Sequence, residues 1–165
     1  MSTAQAYPES MTRSGANLAL LLLGSYRSLV DTVVAELAGR GFPDVRPVHD
    51  FALRAIGSGA DNAAELGRRL SVSKQAAAKT VDILRQRGYV TVGSDPTDAR
   101  RRRIEVTARG YELMREGESI FDDLRSAWRD RFGAEALSVL ESQLATIVGD
   151  APIRVDNPGW IAADS

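Results

Sequence analysis

Four consecutive arginines, Arg100, Arg101, Arg102 and Arg103, follow Asp95-Pro96-Thr97-Asp98-Ala99 and lead into the β-prone run Ile104-Glu105-Val106. No other stretch of the chain concentrates charge so densely. Guanidinium groups at this density suit contact with phosphates and with narrow, electronegative grooves of a duplex. Asp95 and Pro96 favour a turn. Asp98, two residues before Arg100, can hold that guanidinium by a charge-assisted pair, so the arginines are expected at the tip of a hairpin in one orientation.

A second set of candidate residues lies upstream. Ala77, Val81 and Leu84 recur at core spacing on a helix predicted from Ser73, its cap, to about Arg87, with Gly88 closing it. That spacing leaves Ser73, Lys74, Gln75, Ala78 and Lys79 outward. Gln75 can make a bidentate contact with adenine, Lys74 or Lys79 can reach guanine or phosphate, and the Ala78 methyl can meet a thymine methyl. A shorter helix from Asp61, its expected cap, to Leu70 precedes it, with Ala63, Leu66 and Leu70 inward, and Ser71-Val72-Ser73 forms the turn. Two short helices, a tight turn and a hairpin describe a winged helix-turn-helix, in which the second helix enters the major groove.

The 165-residue chain has a net charge of only -1, which alone argues against a nucleic-acid partner. The distribution of charge argues the other way. Between positions 68 and 109 eleven basic residues face four acidic ones, a local charge of +7, so the remainder carries -8. An acidic body with one basic face is suited to phosphate. With no cysteine, one histidine, no glycine-rich phosphate loop and no metal-ligand spacing, the sequence offers no catalytic residue, cofactor or metal ligand, and is read as a non-enzyme.

Other elements must position these residues. A long helix is predicted over 11–39, with Leu18, Leu22, Leu29, Val33 and Leu37 at helical spacing and Leu21, Val30 and Val34 beside them. Gly39, Gly41 and Pro43 break it. Pro47 starts a second helix running to Ile56, with Gly57 and Gly59 ending it. Residues 89–92 and 103–106 pair as the hairpin. Thr107 caps a long helix to Phe132, with Met114, Phe121, Leu124 and Trp128 as its apolar stripe. A last helix, 134–148, carries Leu137, Leu140, Leu144 and Ile147. The first and last helices are too widely apolar for one small lobe to cover, so a second copy of the chain is expected against them. The longest uninterrupted apolar run, 18–23, is shorter than a bilayer crossing requires. No membrane segment or signal peptide is predicted, and the cytoplasm is the expected location.

The motif Asp95-Pro96-x-Asp98-x-Arg100, continuing through Ile104-x-Val106-Thr107-x-x-Gly110 and preceded by Leu84-x-x-x-Gly88-Tyr89-Val90, resembles the MarR family of bacterial transcription regulators (multiple antibiotic resistance regulators). The motifs span roughly residues 45–115, and the helical order extends the likeness to about 15–149. Two positions depart from the family pattern: Ala99, where another arginine is frequent, and Ala77, where a larger aliphatic is usual. The resemblance implies a homodimer on a pseudo-palindromic operator of double-stranded DNA, with Arg100 entering the minor groove. It also implies a pocket for a small aromatic or phenolic ligand between the dimer helices and the DNA lobe. Candidates there, by helix position, are Tyr26, Arg46, His49, Phe51, Met114 and Phe121.

The expected fold is thus mainly α with a small β-hairpin wing (α+β), a winged helix-turn-helix lobe joined to a helical dimerisation region. The expected parts are an N-terminus (1–10) without regular structure, a dimerisation helix and linker (11–44), the DNA lobe (45–106), C-terminal dimerisation helices (107–149) and an irregular tail (150–165). The expected function is a homodimeric, sequence-specific DNA-binding regulator, a repressor released by a small ligand. The alternative is a constitutive winged-helix nucleic-acid-binding or architectural protein.

Overall fold

A computed structural model of the chain describes residues 14–94 and 102–149. The described elements run α1 (Gly15–Gly39), α2 (Pro47–Gly57), α3 (Ala63–Leu70), α4 (Lys74–Gln86), β1 (Val90–Ser94), β2 (Arg102–Val106), α5 (Ala108–Phe132) and α6 (Ala134–Val148). This is the mainly helical, winged architecture that the sequence predicts. The expected irregular segments 1–10 and 150–165 lie outside the described residues, as do positions 95–101 between the strands.

Local chemistry explains most helix starts. Ser14, Ser73 and Thr107 each accept a hydrogen bond from the backbone N–H three residues on, at 3.1 Å, which satisfies one of the donors a helix leaves unpaired. At α3 the expected cap is corrected. Asn62, not Asp61, accepts from Ala64 and Glu65 at 3.1 and 3.0 Å. Asp61 instead turns its carbonyl to the wing, accepting from the Ile104 N–H at 2.8 Å. The loop before α3 thereby becomes a third rung beside β2, a long-range demand that overrides cap preference.

β1 and β2 pair antiparallel with Val90 opposite Val106, Val92 opposite Ile104 and Ser94 opposite Arg102. Val90 and Ile104 are buried, and they join the lobe to a single core. That core gathers Ala52, Leu53 and Ile56 of α2, Leu66 and Leu70 of α3, and Ala77, Val81 and Leu84 of α4. Val33 and Leu37 of α1 and Leu113 and Ile120 of α5 belong to the same cluster. No sharp boundary in packing separates the lobe from the long helices.

The root of the wing is set by Thr107 and Gly110. The Thr107 N–H donates to the Tyr89 carbonyl at 3.0 Å, and its hydroxyl donates to the Gly88 carbonyl at 2.6 Å. Gly88 itself has φ +75, a conformation open to glycine at little cost. A Cβ at Gly110 would overlap the Tyr89 carbonyl oxygen and lie 2.7 Å from Val106 Cγ1. Glycine is what lets α5 press directly on the hairpin.

On α5 the inward stripe differs from expectation. Gly110, Leu113, Gly117 and Ile120 are buried, whereas Met114 and Leu124 are partly buried at the core's edge and Phe121 is exposed. The helix is rotated toward its small residues: at Gly110 the close approach of the hairpin demands low side-chain volume, whereas Gly117 faces open space at the cavity among α1, α2 and α5.

α1 and α6 keep much of their apolar surface uncovered. Leu18, Leu21 and Ile147 are 58%, 59% and 72% exposed, and Leu20, Leu22, Leu140 and Val148 are exposed as well. By length and composition α1 also satisfies the requirement for a membrane span, with an 18-residue window of mean hydropathy 1.5 that is only 6% buried. The expectation of no such segment is corrected to that extent. An uninterrupted apolar run does not mark it, because alanines, glycine and β-branched residues dilute the two charges Arg27 and Asp31 over the longer window. The other end of α1 packs Val33 and Leu37 into the shared core.

Candidate nucleic-acid interface and ligand pocket

The turn into α4 and the first turn of the helix present Ser73, Lys74, Gln75 and Lys79 as exposed residues, and Ala78 as half-buried. Their orientation follows from the buried stripe Ala77, Val81 and Leu84 on the opposite side. Ala77 is fully buried: its small side chain fits a site where a larger aliphatic is common in the resembled family. Ala78 is turned toward the wing, lining a cleft with Asn62, Val92, Arg102 and Ile104. The structure therefore brings the outward residues of α4 and Arg102 of β2 to one side of the lobe.

Arg102 and Arg103 are exposed on β2. Asp98, Arg100 and Arg101, which the sequence places at the wing tip, lie outside the described residues.

Ion pairs narrow the basic face. Arg68 and Arg69 both engage Glu65 of their own helix, whose carboxyl they hold below the usual carboxylate range through hydrogen bonds from both guanidinium groups. Arg85 pairs with Asp82 at 3.6 Å and Arg103 with Glu105 at 3.3 Å. Arg87 and Arg109 are turned away to backbone carbonyls of Asp44 and Gly41, at 2.5 and 2.9 Å. Lys74, Lys79 and Arg102 make no ion pair with any described residue. On this face, those three are the described cations most available to phosphate.

Four of the six ligand candidates meet. Tyr26, Arg46, Phe51 and Phe121 line one apolar cavity of about 100 Å³ with Val30, Val34 and Gly117. It sits where α1, α2 and α5 converge, and burial raises the Tyr26 phenol above its ordinary value. Asp50 also reaches this wall, but its carboxylate accepts from Arg54 Nε at 2.8 Å. Arg46 makes no ion pair with a described residue and so supplies the uncompensated charge at the cavity.

His49 and Met114 are not among the lining residues. His49 is 3% exposed and its Nδ1 accepts the Arg46 N–H at 3.1 Å, while its own backbone N–H donates to the Arg46 carbonyl at 2.9 Å. It ties the start of α2. Burial, with the Arg87 and Arg46 charges nearby, pushes its pKa down to about 4, so the ring is neutral.

Sequence reasoning did not single out Arg87, Arg109 or Asp44. Arg109 donates to Gly41 and lies 5.1 Å from the Phe42 ring centroid and 5.7 Å from that of Tyr89. These partners are far apart in the chain, so no local spacing announces them. The signal available was indirect: two arginines at helix ends, where a glycine-rich break in the chain needs holding.

Residues 48–101 match the model of the MarR family. No curated protein sequence matches the chain. Among solved structures, the chain is similar to FabT of Streptococcus pneumoniae in complex with DNA, at TM-score 0.68 and 16% identity, covering 82% of this chain and 95% of that one. It is also similar to CouR of Rhodococcus jostii RHA1 bound to p-coumaroyl-CoA, at TM-score 0.59 and 17% identity, covering 89% of this chain and 100% of that one. PcaV of Streptomyces coelicolor, in complex with its natural ligand, superimposes at TM-score 0.57 and 18% identity over 87% of this chain and 97% of its own. Residues 48–101 thus match the MarR family, and the described chain around them carries the winged-helix fold of these solved structures.

Proposed function

We propose that the chain is a homodimeric, sequence-specific DNA-binding transcription regulator, a repressor whose hold on its operator is released by a small aromatic ligand. The observation that carries this reading is the exposed polar and basic start of α4 beside the arginine-bearing strand, both fixed on one packed core. In this reading α4 reads base edges through Gln75 and Lys74, Ser73, Lys79 and the Ala78 methyl add contacts, and the wing engages the minor groove and flanking phosphates through Arg100, Arg101, Arg102 and Arg103, with Asp98 orienting Arg100. The DNA complex of FabT supports the proposal at the level of fold.

The uncovered apolar faces of α1 and α6 support a second copy as their cover. Apolar exposure is present on both α1 and α6, which suits a helical interface drawing on both more than a single membrane-crossing segment. The cavity at α1, α2 and α5 supports an aromatic ligand carrying a carboxylate, with Tyr26, Phe51 and Phe121 around the ring and Arg46 on the anion. His49 acts on such a ligand through the position of Arg46, and Met114 through the packing of α5. The ligand-bound structures of CouR and PcaV support a small-molecule partner for the fold.

Genomic fragments captured by the purified protein test the reading directly. A recurring pseudo-palindrome is the expected result, and capture without sequence preference refutes it in favour of an architectural protein. Benzoate and 4-hydroxybenzoate, screened by thermal shift and then by release from the captured operator, test the ligand, with Arg46→Ala abolishing the effect. Tight binding that never alters operator affinity makes the protein a constitutive DNA binder.

A further inference from the structure

The connection between α1 and α2, residues 40–46, looks from its glycine and proline like a free hinge, but the fold pins it at two points. Arg109, from the first turn of α5, donates to the Gly41 carbonyl at 2.9 Å and lies over the buried Phe42 ring. Arg87, the residue that ends α4, donates to the Asp44 carbonyl at 2.5 Å. Asp44 has φ +57, a left-handed conformation that aspartate adopts more readily than most non-glycine residues. The next three residues, Val45, Arg46 and Pro47, form part of the cavity wall.

We propose that Arg87 is a positioning residue that couples the cavity to the DNA-reading helix: displacement of residues 45–47 by an occupant moves the Asp44 carbonyl, and Arg87 carries that movement into the C-terminal end of α4. The coupling rests on the function proposed above for both sites. A helix of 13 residues is a stiff rod of about 20 Å. Its first turn, with Lys74 and Gln75, therefore swings when its last turn is pulled. Arg87 also lies near His49, whose neutral ring accepts the Arg46 N–H at the start of α2, so the same guanidinium holds the Asp44 carbonyl and stands beside the residue that fixes Arg46 of the wall. Arg109 holds the upstream half of the connection to α5 and the hairpin root, which directs the displacement toward Arg87.

Amide hydrogen exchange on the full-length chain tests this without an operator or a natural ligand, so its failure is distinct from failure of the DNA-binding reading. The occupant is built in by Gly117→Phe, at a cavity-lining position where a Cβ meets nothing within 4 Å, with the smaller Gly117→Leu as a second occupant should the first disturb folding. Either is expected to change exchange at residues 44–46 and at 74–79 by about fivefold or more. Adding Arg87→Ala should preserve the response at 44–46 and reduce that at 74–79 to less than about twofold, while Arg87→Lys, which keeps a donor, restores part of it. A brace with no coupling role predicts a uniform loss of protection instead. The proposal is overturned if 74–79 responds equally with and without Arg87, if it never responds, or if neither occupant perturbs 44–46.

Discussion

Two glycines on one helix face should respond to the same substitution with opposite sign. Gly110 and Gly117 are both buried on α5, seven residues apart. Alanine gains up to about 1 kcal/mol over glycine within a helix, because glycine surrenders more backbone entropy. At Gly117 nothing lies within 4 Å of the added Cβ, so that gain survives and the methyl enters an apolar cavity. Gly117→Ala is expected to stabilise the protein by about 1 kcal/mol, raising the melting temperature by roughly 2–4 °C for a chain of this size. At Gly110 the methyl overlaps the Tyr89 carbonyl oxygen, which is also the acceptor for the Thr107 N–H. Relief requires α5 to move off the hairpin, so overpacking outweighs the propensity gain and Gly110→Ala should cost about 1–3 kcal/mol. Because the hairpin root shifts, its DNA affinity should fall as well. Urea unfolding followed by circular dichroism at matched protein concentration measures both stabilities. Equal signs, or a Gly110→Ala variant as stable as the parent, would refute the close approach on which the wing's placement depends.

The sole histidine gives a clean pH test. With a folded pKa of about 4 against an ordinary 6.5, His49 takes up a proton in the unfolded state first, so stability is full above pH 6.5 and falls as pH drops toward 4. The loss between pH 7.5 and 5 is about 2 kcal/mol, absent in His49→Ala, and equal stability of the parent at both pH values would contradict the buried neutral ring. Ile147→Asp, at a residue 72% exposed in the single chain, should leave the fold intact yet dissociate the proposed dimer in sedimentation; a dimer unchanged by the substitution would place its interface elsewhere. Arg102→Ala should weaken DNA binding uniformly and lower the salt slope by about 1, whereas Gln75→Ala should relax preference at one base pair by about 1–3 kcal/mol. An unchanged ranking of operator variants with Gln75→Ala would remove that residue from base reading.

How much of this was legible without coordinates depended on the range of the interaction. The α4 stripe of Ala77, Val81 and Leu84, the caps at Ser73 and Thr107, and the hairpin around Val90 and Ile104 were all readable, because 3.6- and 2-residue periods and capping chemistry act over a few neighbours. Of the wing arginines, charge density suggested phosphate contact, and positions 100 and 101 lie outside the described residues. The cavity was half legible: the family resemblance, with helix position, suggested Tyr26, Phe51 and Phe121, but spacing cannot tell which face of α5 turns inward.

Partners distant in sequence had to be brought together before their roles existed. Asn62 displaced Asp61 as a cap only because Ile104 claimed the Asp61 carbonyl. His49 was equally suited by type to a ligand or to a backbone hydrogen bond, and burial against Arg46 and Arg87 decided for the latter. The sequence by itself determined the elements, their order and the chemistry of the exposed faces, since those follow from local periodicity and residue type. Only the tertiary structure decided that the glycine-proline break is held by Arg87 and Arg109, across 43 and 68 positions of chain, because a hydrogen bond between distant residues depends on where the fold has already placed them.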